Sequence, residues 1–158
     1  NIFQFNFSND INAISLDYKR KIAIVIMTII VKRFSLRLPP LTIMDFAALY
    51  HMPSRIVSDL IVEMTDAGLL SIVYSDNEKE QHAYQPAVDI HDITLGFVLD
   101  RLNSQGSDNF IPNFQEEFSP IISVVEESIE TTIHADNDTV LMDIDVDISG
   151  TPAQRHKH

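Results

Sequence analysis

Residues able to do chemistry are sparse in this 158-residue chain. There is no cysteine, which rules out a disulfide framework and any thiolate metal site. His51 and His91 flank turns and His82 falls in a short strand-like run. No histidine pair has the H-E-x-x-H spacing of a zinc site, so surface or capping roles are expected for all three. The glycines stand singly at Gly68, Gly96, Gly106 and Gly150 and cannot build a phosphate-cradling loop. Asp143, Asp145 and Asp147 give a D-x-D-x-D pattern, yet the glycine and the distant bidentate glutamate of a calcium loop are missing. With Val140, Met142, Ile144, Val146 and Ile148 between them, these aspartates read as the solvated face of a strand or as a disordered acidic tail. No catalytic residue, metal ligand or cofactor-binding residue is assigned, and no cofactor is expected.

A different chemistry, contact with a macromolecule, depends on the segment Leu41–Leu70. It reads as helix, turn, helix. Thr42 and Asp45 have the spacing of a capping box, with Ile43, Phe46, Ala47 and Tyr50 on one helical face. His51-Met52-Pro53 breaks the run, and Pro53 suits the first turn of a second helix. There Ile56, Val57, Leu60, Ile61, Met64 and Ala67 form an apolar stripe that stops at Gly68. Leu70–Tyr74, a polar turn, and His82–Gln85 then make a hairpin, and Ile93–Leu102 a short closing helix. The order is that of a winged helix-turn-helix.

Upstream, Ile22–Val31 is the most hydrophobic stretch, but ten residues are too few to cross a bilayer core, which needs roughly 20. It is expected as the middle of a helix over 15–34, buried on most sides and open to a homodimer contact or a docked partner. Downstream, 103–113 is a loop by composition, and Glu116–Ile133 an acidic amphipathic helix with Pro120 in its first turn. The expected organisation is an initial segment (1–14), a winged-helix domain (15–110) and an acidic extension (111–158), partly helical or disordered. The fold class is therefore mainly α with a small β-hairpin.

The net charge is −12, unevenly spread. Lys19, Arg20, Lys21, Lys32, Arg33 and Arg37 cluster before the helix-turn-helix, whereas Arg55, Lys79 and Arg101 are outnumbered by carboxylates from Asp45 to Asp100. The second helix offers Ser54, Arg55, Ser58, Asp59 and Glu63 at the positions that would face base edges, and the wing offers Asp76, Glu78 and Glu80 against Lys79. Since affinity for DNA comes largely from charge neutralisation, nucleic acid is the disfavoured partner on this count. A protein contact through Arg55, Asp59, Val62 and Glu63 is the favoured one, with Val62 either an anchor or simply an exposed valine.

The hairpin followed by AYQPAVDIHDITLGFVLDRL is similar to the wing and closing helix of small winged-helix repressors. Taken with DYKRKIAIVIMTIIVKRF, the Pro39-Pro40 pair and MPSRIVSDLI, the stretch from Ile11 to Phe110 resembles the C-terminal region of the YihY/BrkB family of multi-pass bacterial inner-membrane proteins, formerly labelled ribonuclease BN. That resemblance implies a fragment at the cytoplasmic face of the inner membrane, docked to its own transmembrane portion, to another copy or to another protein. It implies roles in envelope integrity or transport, including virulence. Lys19, Arg20, Lys21, Lys32 and Arg33 would then be membrane-proximal, and Phe3, Phe5 and Phe7 could touch the bilayer surface. The ribonuclease label finds no catalytic group here. A DNA-binding regulator domain is the alternative reading, and a ribonuclease-related domain the second.

Overall fold

The computed structural model describes residues 13–76, 79–134 and 138–149, with residues 132–134 by backbone alone. Helix α1 (Leu16–Ser35) starts where Ser15 accepts the Tyr18 N–H at 3.1 Å. It runs through the centre of the fold, and Ala23, Ile26, Met27, Ile29 and Val31 are completely buried. A bridge at Leu41 leads into α2 (Ile43–Tyr50). The capping box at its start is reciprocal and buried: Asp45 N–H donates to Thr42 Oγ1 at 3.2 Å, and Thr42 N–H to Asp45 Oδ2 at 2.7 Å.

Helix α3 (Ser54–Asp66) follows, with Pro53 as its N-cap, and packs Ile56, Val57, Leu60, Ile61 and Met64 against α1 and α2. Strands β1 (Leu70–Tyr74) and β2 (His82–Pro86) pair antiparallel in the register Ile72 opposite Tyr84. A 3-10 turn at Ile90–Asp92 leads to α4 (Leu95–Asn103), capped by Thr94. The fold is thus mainly helical with a two-stranded hairpin, a winged helix-turn-helix.

Two short connections then give α5 (Phe114–Glu117) and α6 (Ser119–His134), with Pro120 in the first turn of α6 as its missing N–H demands. Helix α6 contacts α4 and α5 while leaving Ile121, Val124, Val125 and Ile129 exposed.

The segment 139–149 returns to the core as a strap. Val140 bridges Thr94, Leu141 N–H donates to Ile93 O at 3.0 Å, and a 3-10 turn at Leu141–Asp143 packs on α1. Leu141 is fully buried, and Met142, Ile144 and Val146 lie against the core with Asp143, Asp145 and Asp147 turned outward. The alternation expected for 139–149 is therefore present, in an extended strap laid on a helix instead of a sheet strand. Tyr50 Oη donates to Asp147 O at 3.0 Å near its end.

This strap, with α3, α4 and β2, covers α1 within a single copy. Most of α1 is covered in this way, while Leu16, Tyr18, Val25 and Phe34 remain exposed along its outer side. Phe3, Phe5 and Phe7 lie outside the described residues.

Candidate nucleic-acid interface

The helix-turn-helix presents the polar side of α3 to solvent. With Ile56, Val57, Leu60, Ile61 and Met64 buried on one side, Ser54, Arg55 and Asp59 are exposed and Ser58 half-buried on the other. Val62, 55% exposed, sits further along the same side. The candidate contact residues Arg55, Asp59 and Val62 therefore all reach the surface. Glu63 does so only partly, because its carboxylate is taken by Arg20 of α1 at 2.9 Å. Arg20 Nε also donates to Asn103 Oδ1 at 3.3 Å, so one guanidinium joins α1, α3 and the end of α4.

The wing stands beside this surface with Tyr74 84% exposed and Lys79 also at the surface. Glu80, at the foot of the returning strand, reaches back to the start of α2. Its Oε1 accepts the Ile43 N–H at 3.2 Å and its Oε2 the Met44 N–H at 3.0 Å. A carboxylate at a helix N-terminus lies against the positive end of the helix dipole, which offsets its charge. Two of the carboxylates counted against a nucleic acid, Glu63 and Glu80, are thus held by groups of the protein itself. Of the others, Asp59 and Asp76 are exposed, as is Arg55 on α3. Glu78 lies outside the described residues.

The basic residues of α1 differ in exposure: Lys21 is exposed, whereas others are drawn into the fold. Arg33 is only 2% exposed; its Nε and Nη2 donate to Pro39 O at 3.2 and 2.8 Å. Burial lowers its pKa, while Tyr50 and the Asp45 carboxylate act in the opposite sense. Arg20 is committed to Glu63, and Lys21 pairs with Asp17 at 2.9 Å one helical turn away. Lys19 and Lys32 are half-buried. Sequence spacing could not have shown this, because the partners of Arg20 lie 43 and 83 residues away. Among the described residues no cluster of three or more metal-binding side chains occurs, and no helix is long and apolar enough to cross a membrane.

The class this architecture defines is the winged helix with a helical C-terminal extension. No protein-family model matches the chain, and no curated protein does. Several solved structures do. T. potens IscR aligns with a TM-score of 0.53 at 20% identity, over 82% of this chain and 83% of the other. The oxidized form of Staphylococcus aureus CymR aligns with a TM-score of 0.51 at 12% identity, over 85% of this chain and all of the other. CymR of B. subtilis, described as its global cysteine regulator, aligns with a TM-score of 0.48 at 18% identity, over 82% of this chain and 93% of the other.

The alignments with T. potens IscR and S. aureus CymR correct the resemblance to YihY/BrkB. The helical extension and strap, in which that resemblance had no counterpart, belong to one architecture with the winged helix, and that architecture spans entire solved CymR chains. The readings that depended on the resemblance fall with it: a docking domain of a multi-pass protein, a transmembrane or membrane-surface partner and a place at the inner-membrane face. The expectation against nucleic acid, drawn from charge, is corrected on its own ground, since Glu63 and Glu80 are engaged within the fold. The apolar run of α1, which suggested a docked neighbour, is largely covered by the chain itself.

Proposed function

We propose that this chain is a non-enzymatic, DNA-binding regulator that works as a pair of copies. The observation that carries the reading is the leading edge of α3, where Ser54, Arg55 and Ser58 face outward from a helix whose other side is locked into the core. In a helix-turn-helix this edge enters the major groove. Arg55 is suited to guanine O6 and N7, Asp59 to a cytosine amino group, and Lys79 on the wing to a phosphate. The fold shared with IscR and CymR supports the reading.

Pairing would use α6. Ile122, Val125 and Ile129 follow the i, i+3, i+7 spacing of a helix–helix seam, with Ile121 and Val124 beside it, and most of this side is open to solvent in one copy. Two copies related by a two-fold axis would address half-sites about 34 Å apart, or a multiple of that distance. Lacking cysteine, the chain would receive its signal by chemistry other than thiol oxidation or a thiolate-held cluster.

Selection of bound sequences from a random duplex library, followed by fluorescence anisotropy on the enriched site, tests the proposal. A two-fold symmetric motif should emerge, and Arg55→Ala should weaken binding to it by about 1–3 kcal/mol. If no motif is enriched and wild-type protein fails to bind duplex even at low salt, the reading is wrong.

A further inference from the structure

Helices α1 and α3 end in the same way. At the end of α3, Gly68 N–H donates to Thr65 O and Leu69 N–H to Met64 O, at 3.0 and 2.9 Å, with Gly68 at φ 75°. At the end of α1, Arg37 N–H donates to Phe34 O and Leu38 N–H to Arg33 O, again at 3.0 and 2.9 Å, with Arg37 at φ 58°. Both are Schellman motifs, whose left-handed residue is ordinarily glycine because a Cβ disfavours that conformation. Arginine is the locally worse choice at this position. A residue held in a disfavoured conformation points to a use for its side chain.

Arg37 lines a cavity of about 480 Å³ bounded by the end of α1, the 38–41 connection, β2 and the 3-10 turn at Ile90. Its walls are mainly apolar, with Phe34, Leu41, Tyr84 and Ile90 prominent. The charged residues in the lining are Arg33 and Arg37, and no carboxylate is among them, in a chain whose net charge is −12. Arg33 is engaged by Pro39 O. Among the described residues the Arg37 side chain makes no hydrogen bond or ion pair. A cavity of this size, apolar with one available guanidinium at its edge, has the form of a small-molecule site.

We propose that this cavity binds a small amphipathic carboxylate, its apolar body between Phe34, Leu41, Tyr84 and Ile90 and its carboxylate paired with Arg37. The planar guanidinium matches a carboxylate by two parallel hydrogen bonds. Leu41 bridges Tyr84, so an occupant would touch both the entry to the helix-turn-helix and the root of the wing. Under the proposed DNA-binding function, an occupant that fits the free and DNA-bound arrangements differently would shift DNA affinity, and DNA would shift occupant affinity by the same factor. Binding itself does not depend on that function.

The test uses the full chain, labelled with 15N and titrated with octanoate and 3-phenylpropanoate, each beside its neutral amide. The expected result is saturable shifts of the Leu41, Tyr84, Gln85 and Ile90 amides by a carboxylate, with the matching amide at least about tenfold weaker. Arg37→Gly should weaken the carboxylate by about tenfold or more without lowering the melting temperature, because glycine suits the conformation, so unfolding cannot mimic the loss. Arg37→Lys should retain part of the affinity. Equal binding of acid and amide, shifts that map elsewhere, no shift with either probe, or wild-type affinity in Arg37→Gly would each overturn the proposal. So would a loss of DNA affinity in Arg37→Gly with no carboxylate binding to the wild type, which would make Arg37 a phosphate contact instead.

Discussion

Replacing Leu141 by alanine asks whether the strap is part of the cooperative core or a decoration laid over it. Leu141 is completely buried, and its N–H and that of Leu95 tie the strap to the segment before α4, through Ile93 O at 3.0 Å and Thr139 O at 2.9 Å. Removing a buried leucine side chain loses its transfer free energy and leaves a cavity, together about 3–5 kcal/mol. At about 2–4 °C per kcal/mol for a chain of this size, the melting temperature should fall by roughly 10 °C. Urea unfolding followed by far-UV circular dichroism would read the loss as a lower midpoint at unchanged slope. Asp145→Ala, on the outward side of the same strap, should stay within about 0.5 kcal/mol of wild type. Hydrogen exchange supplies the second readout, since the Leu95 and Leu141 amides should open only with the α1 core. A Leu141→Ala loss below about 1 kcal/mol, or fast exchange at those two amides alone, would refute the reasoning.

Val125→Glu puts a charge on the α6 seam, where the residue is 47% exposed in one copy. It should leave the circular dichroism spectrum unchanged and move the sedimentation equilibrium from pairs to single copies. Hydrogen bonds from the His91 backbone N–H and ring hold the Asp89 carboxyl below its ordinary pKa of 3.8. Its contribution to stability is therefore present above about pH 4 and lost as pH falls through the lowered value, and Asp89→Asn should flatten that part of a melting-temperature profile. Burial, with Glu80 adding to it, raises the Tyr84 pKa above 10.0. The associated stability is present below the ordinary value and lost as pH rises through the raised one. The phenolate absorbance should accordingly keep rising above pH 10, with a smaller late component in Tyr84→Phe.

Much of the fold was legible because its signals are local. The Thr42–Asp45 capping box, the α3 stripe ending at Gly68, the hairpin and Pro120 at the start of α6 each occupy a few neighbouring residues, and each is found where the spacing put it. The site was less legible because its electrostatics are not local. Arg20 and Glu63 were counted as separate solvated charges, although folding pairs them. Glu80 counted against the wing, although it caps α2 from 36 residues away. The strap shows the same limit: alternation in 139–149 marked one apolar side correctly, but no periodicity says what that side packs on. Without it the run Ile22–Val31 looked under-covered, and a homodimer contact or a docked partner was expected there. Arg37 carried no local signal at all, since only the backbone angle reveals an arginine in a glycine position.

Charge then decides how such an acidic chain could hold DNA. If α3 and the wing make the contact, the cations at the surface of each copy there are Arg55 and Lys79, while Arg20 and Arg33 are engaged inside the fold. A pair of copies would neutralise about four phosphates, giving a slope of log K against log salt of about −4. That is shallow for a regulator, and it means that affinity must come from base contacts and fit, with weak binding to unrelated duplex. Anisotropy titrations of the selected site at several salt concentrations measure the slope directly. A value steeper than about −7 would require the Lys19–Arg37 side to meet the DNA, and α3 would then be the wrong face. A slope near −4, together with the loss in Arg55→Ala, would fix the polar edge of α3 as the reading surface, and would explain how a chain with a net charge of −12 can discriminate among sequences it barely attracts.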